Sequence, residues 1–115
     1  MAKFGFDCVF HYVTDMDKAI AFYTDKLGLE LTSRDVVARF DIDGVLFELV
    51  PVPDDVEVQG SGNARLCLRV ENMHEALGEL RTKGIQASQV HEVSNGMLAS
   101  FEDLDGNEIY LWQYR

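Results

Sequence analysis

Apolar and polar positions follow an order along this chain that occurs twice. The segment Asp7-Cys8-Val9-Phe10-His11-Tyr12-Val13 is β-rich and predicts a strand. Thr14-Asp15-Met16-Asp17 then opens a helical pattern in which Met16, Ala19, Ile20, Tyr23 and Leu27 share one stripe. Asp15 is placed to cap that helix and Gly28 to end it. In the second half, Ala64-Arg65-Leu66-Cys67-Leu68-Arg69-Val70 predicts another strand, followed by a helix with Met73, Ala76, Leu77 and Leu80 on its stripe. Asn72 and Glu75 have the spacing of a capping box, and Gly84 closes the helix. A shift of 57 residues carries Val13 onto Val70, Asp15 onto Asn72 and Met16 onto Met73.

The ends of the two halves also match. Asp41-Ile42-Asp43-Gly44-Val45-Leu46-Phe47-Glu48-Leu49 aligns with Asp103-Leu104-Asp105-Gly106-Asn107-Glu108-Ile109-Tyr110-Leu111 at a shift of 62. Asp-Gly between β-rich runs predicts a hairpin turn in each. One further strand fits before each hairpin, over residues 29–33 and 88–93. Each half therefore reads as strand, helix, then three strands. Prolines, glycines and acids mark a linker at about 53–63, between a first module at about 5–52 and a second at about 64–113. Neither half covers both faces of its sheet alone, so the expectation is one domain over 1–115.

Composition removes several function classes. Hydrophobic residues make up 47% and charged residues 26%, with Gly 9 and Pro 2, an ordinary globular balance. No apolar run reaches the roughly 18 residues of a membrane helix, and the N-terminal residues lack a signal-peptide core, so a cytoplasmic protein with no membrane partner is expected. Asp plus Glu number 20 against 10 for Lys plus Arg, and the net charge of −10 opposes nucleic acid. Cys8 and Cys67 are too few for a disulfide framework and lack the close spacing of a zinc site; both are expected as reduced, buried thiols.

The doubled βαβββ plan carries two recognisable segments. Asp15-Met16-Asp17-Lys18-Ala19-Ile20-Ala21-Phe22-Tyr23, followed by Leu27-Gly28-Leu29-Glu30-Leu31, resembles the vicinal oxygen chelate superfamily. That superfamily includes glyoxalase I, extradiol dioxygenases, fosfomycin-resistance enzymes and bleomycin-resistance proteins. Phe101-Glu102-Asp103-Leu104-Asp105-Gly106-Asn107-Glu108-Ile109 is similar to its second signature hairpin, with Leu104 where proline is usual. The resemblance implies an α+β fold: two βαβββ modules forming a curved, cup-like mixed sheet with helices packed outside. It also implies a homodimer, for which Phe4, Phe6 and Trp112-Gln113-Tyr114 offer apolar surface.

In metal-dependent relatives the ligands lie on the first and last strands of each module. The resemblance places those positions here at Cys8, Glu48, Arg65 and Tyr110. A glyoxalase-like site is similar to two histidines plus two glutamates around a divalent ion, and only Glu48 suits that set. Arg65 has no lone pair to donate, and its charge repels a cation. No metal and no other cofactor is expected. His11 falls on the strand face opposite Cys8, while His74 and His91 read as surface residues; no two histidines have ligand spacing.

Period-two alternation groups Cys8 with Phe10 and Tyr12, Arg65 with Cys67 and Arg69, Glu48 with Leu46 and Val50, and Tyr110 with Glu108 and Trp112. Apolar walls with a few polar groups suit a small-molecule pocket, so Cys8, Phe10, Tyr12, Glu48, Arg65, Arg69, Tyr110 and Trp112 are the candidate ligand-binding residues. The alternative is a relic metal site filled by a Glu48–Arg65 ion pair. Three functions follow. The first is metal-independent binding of a small cationic or aromatic molecule in the cup between the modules. The linker acids Asp54, Asp55 and Glu57 would line a groove for it, the alternative being an ordinary solvated acid run. The second is a glyoxalase, lyase or dioxygenase with an atypical metal set, using Glu48 as ligand or base and Tyr110 as acid. The third is a metal-free enzyme in which Arg65 holds an anionic substrate and Glu48 moves a proton.

Overall fold

Among the described residues, the alternating and helical stretches become eight strands, two α-helices and one π-helical turn, in an order that largely repeats. The computed structural model describes residues 3, 5–54, 57, 62 and 64–115. The chain divides into two units, residues 1–58 and 59–115. Each is a βαβββ module with a four-stranded mixed sheet.

In the first unit, β1 (Val9–Val13) is followed by α1 (Met16–Ala21), β2 (Leu31–Arg34), β3 (Ala38–Ile42) and β4 (Val45–Pro51). The strand order is β1-β4-β3-β2. The first strand pairs in parallel with the last, placing Phe10 opposite Glu48, and β3 pairs with β4 antiparallel. The β3–β4 turn holds Asp43 and Gly44 at φ 52° and 85°, the left-handed pair that a two-residue hairpin demands. The Asp15 carboxylate caps α1 by accepting from the Lys18 N–H at 3.1 Å.

The α1 pattern does not run on unchanged to Gly28. Residues Phe22–Lys26 form a π-helical turn, in which the Thr24 hydroxyl donates to the Ile20 carbonyl at 2.8 Å. Phe22 and Tyr23, consecutive in sequence, are both buried. Tyr23 packs on Phe40 and Phe47, and its hydroxyl shares a 3.1 Å hydrogen bond with Nδ1 of buried His11. The His11 ring meets Phe47 edge-on. This aromatic cluster fills the helix-covered side of the sheet with Val13, Ala38 and Leu49.

The second unit runs β5 (Leu66–Arg69), α2 (Met73–Thr82), β6 (His91–Val93), β7 (Gly96–Glu102) and β8 (Glu108–Tyr114), with strand order β5-β8-β7-β6. Asn72 caps α2 by accepting from the Glu75 N–H at 3.0 Å, and the Gln113 side chain accepts from the Met73 N–H at 2.6 Å. Met73, Leu77 and Leu80 of α2 are buried, as are Leu66, Ala99, Phe101, Ile109 and Leu111 of the sheet. Cys67 lies opposite Tyr110, so the repeat shifts that relate the halves carry the Phe10–Glu48 pairing onto this one.

The second hairpin departs from the expected two-residue turn. Glu102 pairs with Glu108, leaving the five residues 103–107 as the loop. The buried Asp103 carboxylate accepts from the backbone N–H groups of Asp105 and Asn107 and from the Asn107 amide, each at 2.9 Å. A side chain that gathers three donors sustains a wider loop than Asp-Gly alone requires.

Candidate functional site

Alternation separates two faces in each sheet as the sequence predicts. On β1, His11 and Val13 are buried, while Tyr12 is half-buried and Phe10 is exposed. On β4, Phe47 and Leu49 are buried and Leu46, Glu48 and Val50 are half-buried. On β8, Ile109 and Leu111 are buried between half-buried Glu108, Tyr110 and Trp112. The candidate residues thus share the sheet faces opposite the buried aromatic and aliphatic positions.

In the first unit the structure brings Cys8, Phe10, Tyr12 and Glu48 together. The Phe10 and Tyr12 rings meet edge to face at 5.4 Å. The Cys8 thiol donates to Oε1 of Glu48 at 3.6 Å, and Arg39 Nε donates to Oε2 at 3.1 Å. Glu48 is the better covered of that ion pair, with its side chain 17% exposed against 35% for Arg39. Arg39 Nη1 also donates to Asp35 at 3.2 Å and to the Ser33 hydroxyl at 3.5 Å. Desolvation, then the charge and acceptor of Glu48, with a lesser part from Asp7, push the Cys8 thiol up to about 11. Cys8 is therefore a protonated donor at neutral pH and not a thiolate nucleophile. The Val37 backbone N–H and the Arg39 guanidinium hold Asp35 below the usual carboxylate range, and Asp35 first and Glu48 second raise Arg39.

Arg39 is a residue of the candidate site that the sequence pattern alone does not single out. The signal was present, because a two-residue turn at Asp43-Gly44 fixes the register of both strands and sets Arg39 opposite Glu48.

In the second unit, Arg65 stands beside β8 and donates from Nε to Glu108 at 3.1 Å. Its Nη1 donates to the carbonyls of Ala64, at 3.0 Å, and Gly62. Arg69 pairs in register with Trp112, and Tyr110 lies between Cys67 on β5 and Ser100 on β7. The Trp112 and Tyr114 rings meet at 5.6 Å, nearly perpendicular. Within each unit, Glu48 pairs with Arg39 and Arg65 pairs with Glu108. Cys67 is exposed and Cys8 only half-buried, which corrects the expectation that both thiols are buried. Strand alternation, which sets Cys67 on the side of Arg69, overrides the usual preference of cysteine for the core. His74 and His91 are exposed, as expected. Of the linker acids, Asp54 and Glu57 are exposed, and Asp55 lies outside the described residues. Among the described residues, no group of three His, Cys, Asp or Glu side chains is arranged to hold a metal ion. No helix among them is long and apolar enough to cross a membrane.

Two βαβββ modules, each with its first and last strands in parallel contact, define an α+β protein of the glyoxalase type. The chain belongs to the Glyoxalase/Bleomycin resistance protein/Dioxygenase superfamily, whose family model matches residues 5–111. Among solved structures, it is similar to TnmS3, an antibiotic binding protein from a Streptomyces species: identity is 26%, coverage 98% of this chain and 100% of that one, and the TM-score 0.73. It is also similar to the fosfomycin resistance protein FosX from Listeria monocytogenes, at 16% identity, 99% and 96% coverage and a TM-score of 0.80. Lactoylglutathione lyase from Agrobacterium tumefaciens matches at 18% identity, 97% and 95% coverage and a TM-score of 0.77. No protein of curated function matches the sequence.

Proposed function

We propose that this protein binds a small cationic or aromatic molecule on the helix-free faces of its sheets and works without a resident divalent metal. The observation that carries this reading is the state of Glu48. It is the one position of the implied ligand set that keeps a carboxylate suited to a divalent ion, and both of its oxygens already accept, from Arg39 and from Cys8. A fixed guanidinium already neutralises this carboxylate and opposes a divalent ion bound directly to it. Arg65 offers no lone pair at a further position of that set. The residues present therefore do not fit a divalent ion of the glyoxalase kind.

What remains on these faces is aromatic surface with a few placed polar groups, the makeup of a small-molecule site. The net charge of −10 attracts cations at long range. Likeness to an antibiotic binding protein at 26% identity over almost the whole chain supports binding over turnover. Arg65, committed to Glu108 and two carbonyls, is poorly placed to act as a substrate-holding cation. The reading includes a homodimer, in which a second copy covers apolar side chains such as exposed Phe6 and Tyr114; Phe4 lies outside the described residues. Light scattering should then report twice the chain mass.

The test is a thermal-shift panel of aromatic and cationic compounds with and without chelator. A ligand at a hundred times its Kd stabilises by about 2.7 kcal/mol, which a melting curve resolves. Stabilisation unchanged by chelator, with no compound consumed, supports the reading. Stabilisation or turnover that chelator removes and one divalent ion restores overturns it.

A further inference from the structure

Gly96 begins β7 opposite Tyr114, and its backbone is not among those with positive φ. Its lack of a side chain therefore answers to space and not to conformation. A Cβ at this position would run into the carbonyl oxygen of Gln113 and would lie 2.5 and 2.7 Å from Cζ2 and Cη2 of Trp112. The six-membered ring of the indole thus rests directly against the Gly96 backbone, where any other residue would stand.

Trp112 sits on the central strand of its three-strand neighbourhood, and a second ring packs against its own. Arg69 on β5 and Leu98 on β7 flank Trp112 in register, and the Tyr114 ring abuts it at 5.6 Å and 89°. The Val70 N–H donates to the Trp112 carbonyl at 2.9 Å, and the next residue, Gln113, caps α2 through its side chain. Backbone and ring are both tied down, yet Trp112 stays half-exposed on the face that also carries Tyr110. A rigid, partly open indole presents a flat π surface at low entropic cost, the property that makes Trp an effective anchor for rings.

Resting on the small-molecule reading above, we infer that Gly96 is a positioning residue that seats Trp112 as a fixed indole wall, and that this wall selects planar aromatic ligands. Cationic rings gain further from the acidic chain and from the indole face.

Trp112 is the single tryptophan, so its fluorescence and near-UV circular dichroism report this wall directly. N-methylacridinium is the planar probe, and tetramethylammonium the saturated cation that controls for charge. The wild-type protein should show saturable quenching of Trp112 by the first and none by the second. Gly96→Ala should weaken N-methylacridinium binding at least tenfold and diminish the near-UV tryptophan band while far-UV dichroism persists. A glycine with a merely structural role would not couple the tryptophan band to probe affinity. Should Gly96→Ala fail to fold, Trp112→Leu keeps Gly96 and removes the ring, and it should abolish probe binding while unfolding stays cooperative. Unquenched Trp112 in a saturated complex, or unchanged affinity in either variant, overturns the inference. If other compounds of the thermal panel stabilise the protein and planar rings do not, this inference fails and the small-molecule reading stands. If no compound stabilises it, the broader reading fails and takes this one with it.

Discussion

Arg39 and Glu48 face each other across the β3–β4 ladder, with Nε of one 3.1 Å from Oε2 of the other. The pair fixes the one carboxylate of the ligand set that the family resemblance implies. Arg39 also reaches Ser33 and Asp35, which ties the β2–β3 connection to the same point. The candidate site in the first unit is thus an organised polar network beside an aromatic pair.

The Cys8 thiol reads the state of this network. Desolvation and the Glu48 carboxylate raise it from 9.0 to about 11. Because the folded value lies above the unfolded one, the thiol's contribution to stability is complete below about pH 9 and is lost as pH rises through about 11. In a Cys67→Ser background, alkylation of Cys8 should increase with pH up to about 11. Glu48→Gln should move that titration downward, toward but not fully to 9.0, since desolvation remains. An unmoved titration would show that the thiol does not sense Glu48.

Both helix caps should contribute measurably. Asp15→Ala and Asn72→Ala each remove a side-chain acceptor from a backbone N–H and should cost about 1 kcal/mol in urea unfolding. Glycine at either position should cost only a few tenths. No loss in the alanine variants would mean that the observed caps contribute little.

Tyr23→Phe tests the buried polar contact in the first unit. The change keeps the ring against Phe40 and Phe47 and removes only the hydroxyl that bonds His11. Losing one partner of a buried hydrogen bond should destabilise by about 1–3 kcal/mol, seen as a lower urea midpoint with little change in slope. A neutral result would show that the hydroxyl is not required to satisfy His11.

Much of the fold was legible because period and punctuation agreed. Asp15, Asn72, Gly28 and Gly84 bracket the helices, and the repeat shifts reproduce the Phe10–Glu48 and Cys67–Tyr110 registers. The π-helical turn was hidden, since it involves the Thr24 hydroxyl bonding backward, a choice that apolar periodicity does not record. The second hairpin looked like the first because both contain Asp-Gly. Only the three bonds gathered by the Asp103 carboxylate distinguish its five-residue loop. In the site, alternation assigned faces but not partners. The family positions name Glu48 and Arg65 together, whereas the partners each finds within its own unit are Arg39, across the β3–β4 ladder, and Glu108. Gly96 gave no signal at all, because its requirement comes from a ring sixteen residues away in sequence.

The most direct test of the central claim is elemental analysis of untagged protein after incubation with nickel, zinc, iron and manganese and exhaustive dialysis. With Glu48 held by Arg39 and Cys8, retained metal should be far below one ion per chain and unchanged in Glu48→Gln. About one tightly held ion per chain, lost in Glu48→Gln, would contradict the account and make Glu48 a metal ligand.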